Sequence, residues 1–128
     1  MAMEFFRFEE FACKCCGQLP PSVRDNVEAL VDNVLDPARR AYGGPVSVSS
    51  GYRCPRHNAA VGGVSGSQHL RGEAADVCCG DNERLAGIIE RNGRYDQLIR
   101  YMGENGRVRF VHVSWRRDGP NRRMRLIK

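Results

Sequence analysis

Apolar positions in the first third of the chain recur at two periods. Phe5, Phe6, Phe8 and Phe11 stud residues 4–19, which read as a segment docked by its aromatic rings. Pro20-Pro21-Ser22 ends that segment, and Ser22 is the expected N-cap of a helix with Asp25 in its first turn. Val23, Val27, Leu30, Val31, Val34 and Leu35 then fall on one helical face, predicting a helix from about Val23 to Tyr42. Pro37 divides it or opens a new first turn, and Gly43-Gly44-Pro45 stops it.

Beyond residue 45 the period shortens. Val46 to Ser50 alternates apolar and polar, as a strand does, and residues 51–66 read as a glycine-rich loop. Asp81 to Asn92 predicts a second helix with Leu85, Ile88 and Ile89 buried and Gly93 as its C-cap. Asp96 to Tyr101 is a strand, and Asn105-Gly106 signals a hairpin turn. In the strand from Arg107 to Trp115, Val108, Phe110, His112 and Ser114 share one face. Arg109, Val111, Val113 and Trp115 share the other. From Asp118 the chain is turn-rich and then basic, a tail over about residues 116–128. Helices beside antiparallel strands, without a regular βαβ series, give an α+β fold: one small domain over residues 1–128, an antiparallel sheet with flanking helices.

Composition changes this picture little. With 128 residues, 41% hydrophobic, the chain suffices for one core and excludes a disordered or collagen-like class. No apolar run approaches the ~20 residues of a membrane span, so no membrane insertion is expected. The charged start, Met1-Ala2-Met3-Glu4, does not resemble an export signal. Synthesis in a cytoplasm is expected, with any action on a cell wall following phage-type release. The net charge of +5 suits an anionic partner or a solvated basic tail. No helix-turn-helix or zinc-finger spacing points to specific nucleic-acid recognition.

Six cysteines complicate that compartment. Cys13, Cys15 and Cys16 cluster, Cys54 stands alone, and Cys78-Cys79 form a pair. Cytoplasmic disulfides are uncommon. Cys13 and Cys16 have CxxC spacing, although the run is tight for a zinc knuckle. A second, structural metal on these thiols plus Cys54, a bridge to Cys54 or Cys78, and plain thiols all remain open.

The three histidines are His57, His69 and His112. His69 opens a run in which Gly72 permits a bend and Ala74-Ala75 allow close passage. Asp76 then returns seven residues after His69. A strand–turn–strand path would set imidazole and carboxylate side by side. Two imidazole nitrogens and a carboxylate oxygen suit Zn²⁺ and leave a fourth position open, as in catalytic sites.

Ser50-Gly51-Tyr52-Arg53, Ser67-Gln68-His69-Leu70-Arg71-Gly72-Glu73-Ala74-Ala75-Asp76 and His112-Val113-Ser114 resemble the zinc D-alanyl-D-alanine carboxypeptidase family. That family includes vancomycin-resistance dipeptidases and phage L-alanyl-D-glutamate endolysins, and it shares its fold with the hedgehog signalling domain. The resemblance covers roughly Phe11 to Arg123, with SxHxxGxAxD followed by HxS as its core. It implies one catalytic zinc on His69, Asp76 and His112, and Arg53 as the donor to a substrate carbonyl or developing oxyanion. Ser67 and Gln68 become site-wall residues, and His57 stays structural. A monomeric, phage-derived peptidase acting on peptidoglycan stem peptides is the implied function. The alternative is a zinc-binding, non-catalytic recognition module on the same fold.

The chain departs from the family at the general base. Family members carry an acid shortly before the last zinc histidine, but Arg109 stands three residues before His112 and Gly106 six before it. Glu104 reaching in from the turn, Tyr101 in its place on the site wall, or no base at all are the three readings left.

Overall fold

The computed structural model describes residues 3–128, so Met1 and Ala2 of the expected leaderless start lie outside it. Helix α1 spans Pro21–Leu30, continues as a widened π turn over Val31–Leu35 and passes into α2, Asp36–Tyr42. The first turn differs from expectation. Pro21, not Val23, opens the helix, Pro20 occupies the cap, and Ser22 and Asp25 lie inside. A proline fits N1 because its φ is preset and that position has no helical partner for an N–H. The widened turn explains how the helix runs on through Pro37. The Asp36 N–H bonds five residues back to the Val31 carbonyl, and Pro37, which has no N–H to give, follows it. Gly43 then ends α2 with φ 79°.

The aromatic N-terminal segment docks as expected, and the anchor is polar as well. The buried Asp36 carboxylate accepts the N–H groups of Glu4 (2.7 Å) and Phe5 (3.1 Å), while Arg39 lies over the Phe5 ring. A single 3₁₀ turn, Phe8–Phe11, buries Phe11.

The sheet has five strands: β1 (Ser47–Ser50), β2 (Ala74–Cys78), β3 (Gln97–Met102), β4 (Val108–Ser114) and β5 (Met124–Ile127), ordered β1-β2-β4-β3-β5. The fold is α+β, but the sheet is not wholly antiparallel. The basic tail, expected to be turn-rich, forms β5 and pairs in parallel with β3. One helix also lay unseen in the glycine-rich loop, α3 (Pro55–Ala60), and a 3₁₀ turn over Gln68–Arg71 follows that loop. Helix α4 (Asn82–Asn92) starts on Asp81, whose carboxylate accepts the Arg84 N–H, and stops at Gly93 with φ 71°.

Alternation along the strands separates two faces. Val77, Leu98, Val111 and Val113 join Val27, Leu30, Val31 and Leu35 of the first helical unit and Leu85 and Ile89 of α4 in one core. Burial of each such side chain contributes ~1.5–3 kcal/mol. On the opposite face, Asp76, Ile99, Tyr101, Phe110 and His112 line an open cleft. No helix among the described residues is long and apolar enough to cross a membrane.

Candidate metal centre

Two of the three site residues meet by strand register. Asp76 on β2 lies directly opposite His112 on β4, and their side chains project to the same face. His112 Nδ1 is 2.9 Å from Asp76 Oδ1. His69 arrives by a different path from the expected strand–turn–strand. It sits in the 3₁₀ turn Gln68–Arg71, which Ser67 caps by accepting the His69 N–H and Gly72 closes with φ 72°. A side chain at Gly72 would meet the Val23 carbonyl at 2.9 Å, so glycine serves both the left-handed turn and the close passage past α1.

The His69 ring is oriented from outside the site. Its Nδ1 lies 2.7 Å from the Gly51 carbonyl and donates to it, which leaves Nε2 as an acceptor facing Asp76 Oδ1 at 3.5 Å. Gly51 in turn passes so close to Phe11 that an added Cβ would fall 2.6 Å from the Phe11 Cα.

These donors fit a zinc ion. His69 Nε2, Asp76 Oδ1 and His112 Nδ1 converge, and the three ligand atoms lie within 4.8 Å of one another. Zinc bonds of ~2.0–2.1 Å at a tetrahedral angle place ligand atoms ~3.3 Å apart, close to the 2.9 and 3.5 Å separations seen here. Protonation states suit ligation too. Burial opposes ionisation of Asp76, but the hydrogen bonds and charges of His112 and His69 outweigh it and hold the carboxyl well below its usual range. Burial, joined by the charges of His69 and Arg53, pushes the His112 imidazole down against the pull of Asp76.

Arg53 reaches this centre. Its Nη2 lies 3.4 Å from Asp76 Oδ2, while Ser50 Oγ and Asn58 Oδ1 accept from Nε and Nη1, both at 3.2 Å. Ser50 and Asn58, to which the sequence assigned no part in the site, position Arg53. Asn58 is itself held by the Val64 carbonyl at 2.9 Å, beside Gly63, whose absent Cβ makes room for it.

The other site residues separate. Ser67, Gln68 and Tyr101 line the cleft, which has a volume of about 680 Å³. Gln68 has its amide nitrogen 3.1 Å from Asp96 Oδ2, and Tyr101 stacks on Phe110 with ring centroids 4.5 Å apart. Glu104 is exposed in the β3–β4 turn and is not brought to the cleft. Arg109, three residues before His112, does not line the cleft, and its guanidinium lies over the Phe110 ring. Among the described residues, Asp76 supplies the cleft's one acidic side chain, whereas Arg53, Arg71, Arg116, Arg122 and Lys128 make its walls cationic. His57 sits in α3, outside the cleft.

The sequence model of the peptidase M15 family matches residues 4–114, the segment from the docked aromatics to the end of β4. The chain belongs to the peptidase M15 family. M15 peptidases depend on zinc, and His69, Asp76 and His112 form a group in this chain that could hold a metal ion. No curated protein matches the chain. Strand β5 lies beyond the matched residues and nevertheless completes this member's sheet.

Proposed function

We propose that this M15 member is a zinc peptidase, acting as a monomer, that cleaves peptidoglycan stem peptides as a D-Ala-D-Ala carboxypeptidase or an endopeptidase. The observation that carries the reading is a convergent His–Asp–His group on the floor of an open cleft with cationic walls. Stem peptides carry free carboxylates, which Arg53, Arg71, Arg116, Arg122 and Lys128 would attract. Bound at His69, Asp76 and His112, zinc supplies a Lewis acid for the scissile carbonyl and lowers the pKa of a water toward ~7.

The chain's own groups do the rest. Gly51 fixes the His69 tautomer through its carbonyl. Ser50 and Asn58 hold the Arg53 guanidinium over Asp76, where it is placed to donate to a substrate oxygen as negative charge develops. Tyr101 stacks on Phe110 in the cleft wall, which supports it as the candidate to handle a proton there. A basic protein of this kind suits phage or prophage release onto the cell wall.

The second reading is a zinc-holding recognition module without hydrolysis. It is favoured by the cleft's lack of an acidic side chain other than Asp76 among the described residues. Digestion of purified peptidoglycan by the zinc-loaded protein, with products read by mass spectrometry, separates the two. New stem-peptide fragments that disappear in His112→Ala establish the peptidase. Zinc-dependent binding to the sacculus without fragments establishes the module.

A further inference from the structure

Four cysteines that play no part in the cleft come together on the other side of the Gly51–Arg53 segment. Cys13, Cys15 and Cys16 stand on the turn after the Phe8–Phe11 element, and Cys54 caps α3. Their four sulfurs all lie within 4.8 Å of one another. Cys13 Sγ is 3.7 Å from Cys15 Sγ, and Cys15 Sγ is 3.6 Å from Cys54 Sγ. A disulfide requires ~2.05 Å. Sulfurs bound to one tetrahedral zinc at ~2.3 Å stand ~3.75 Å apart, the spacing found here.

The surroundings match a thiolate cage. The backbone N–H of Cys54 points at Cys13 Sγ and that of His57 at Cys54 Sγ, both at 3.4 Å, as donors around metal-bound sulfur do. The turn is closed by Gly17, whose N–H bonds the Cys13 carbonyl at 2.7 Å and whose φ is 72°. Arg56 lies beside Cys15 and offsets part of the negative charge that four thiolates leave on a divalent ion. Cys78 and Cys79 stand outside the cluster.

We propose that Cys13, Cys15, Cys16 and Cys54 bind a second, structural zinc ion. On binding, the four thiols release their protons to solvent and close a complete tetrahedral shell. No position is left for water or substrate, so the ion is a clasp. It ties the N-terminal segment to Cys54, the neighbour of Arg53. The Tyr52 N–H already bonds the Phe11 carbonyl across the same junction at 2.8 Å.

Elemental analysis of protein purified under reducing conditions tests the assignment. The parent should carry two zinc ions per chain. His69→Ala with His112→Ala should lose one and keep the other, and cobalt in that variant should give thiolate charge-transfer absorption. Cys15→Ser with Cys54→Ser should retain the ion of the cleft. Should the serine variant not fold, thiol labelling of the zinc-loaded parent decides. Cys78 and Cys79 should react fast, and the other four only after a chelator. Six equally fast thiols, a mass two units low from a disulfide, or cobalt without charge transfer in the histidine variant would overturn the clasp. Those results leave the cleft's own zinc and any peptidase activity untouched, so the two proposals fail separately.

Discussion

Asp96 and Arg122 form a two-pronged ion pair, with Nε 3.0 Å from Oδ1 and Nη2 2.7 Å from Oδ2. The Arg122 backbone N–H adds a third bond to Oδ1, and Gln68 from the cleft wall adds a fourth to Oδ2. The carboxylate has 0% exposure, so nothing but these donors compensates its burial. The pair joins the start of β3, the turn bearing His69 and the lead into β5.

Arg122→Ala should therefore destabilise the protein by about 1.5–3 kcal/mol, the range for hydrogen bonds to a charged group. Urea unfolding, read as a lower midpoint at unchanged slope, measures it.

The same carboxylate predicts a pH dependence. Burial alone would raise Asp96, but Arg122 and Gln68 outweigh it and hold it below its ordinary value of 3.8. A depressed folded value means stability fully present above the ordinary value of 3.8 and lost as pH falls from there through the folded value. The stability gap between parent and Asp96→Asn should be widest near neutrality and should narrow below pH 4. A gap that stays constant to pH 3 would show that Asp96 ionises alike in both states.

Gly51→Ala should act on the metal from a distance. The methyl group has no room beside Phe11, so the Gly51 carbonyl must move and His69 loses the acceptor that sets its ring. Outer partners of this kind are worth ~10–100-fold in metal affinity. Competition against a chromogenic chelator should show that loss at the cleft site.

Arg53→Ala should leave the cleft zinc in place and slow peptide cleavage by ~10²–10³, the usual effect of removing one oxyanion donor. Turnover equal to the parent's would remove Arg53 from the reaction.

Two candidates for the proton-handling group now have different surroundings. Glu104→Gln should leave turnover unchanged, since the side chain is exposed in its turn. Tyr101→Phe should lower it by ~10² or more if the phenol handles a proton. Kinetics of both on peptidoglycan decide, and the reverse order would require the turn to fold over the metal.

Periodicity was sufficient where burial set the pattern. The faces of α1, α4 and β4 could be read directly because each packs one side against the core. It failed where long-range partners decide. Helix α3, with its Arg-His-Asn-Ala-Ala sequence after Pro55, has no apolar stripe to detect. Strand β5 contains a single half-buried apolar side chain, Leu126, and is recruited by its pairing with β3. The His69–Asp76–His112 group was visible from residue type and motif, but the Asp76–His112 register and the Gly51 contact belong to tertiary structure. Glu104 was the one acid between Asp96 and His112 along the chain, an order that says nothing of distance to the cleft. Cys15 and Cys54 lie 39 residues apart, so their approach to 3.6 Å could not be counted from spacing.

The parallel pairing of β5 with β3 also bears on self-association. A bare β3 would offer unpaired backbone groups along the rim of the sheet, a template for other chains. Strand β5 takes that place and is itself only four residues long, a short edge that templates little. The opposite rim, β1, is four residues long and broken in register between Val48 and Ser50. Both borders of the sheet thus resist strand-to-strand growth, and removal of residues 122–128 should make the protein aggregate.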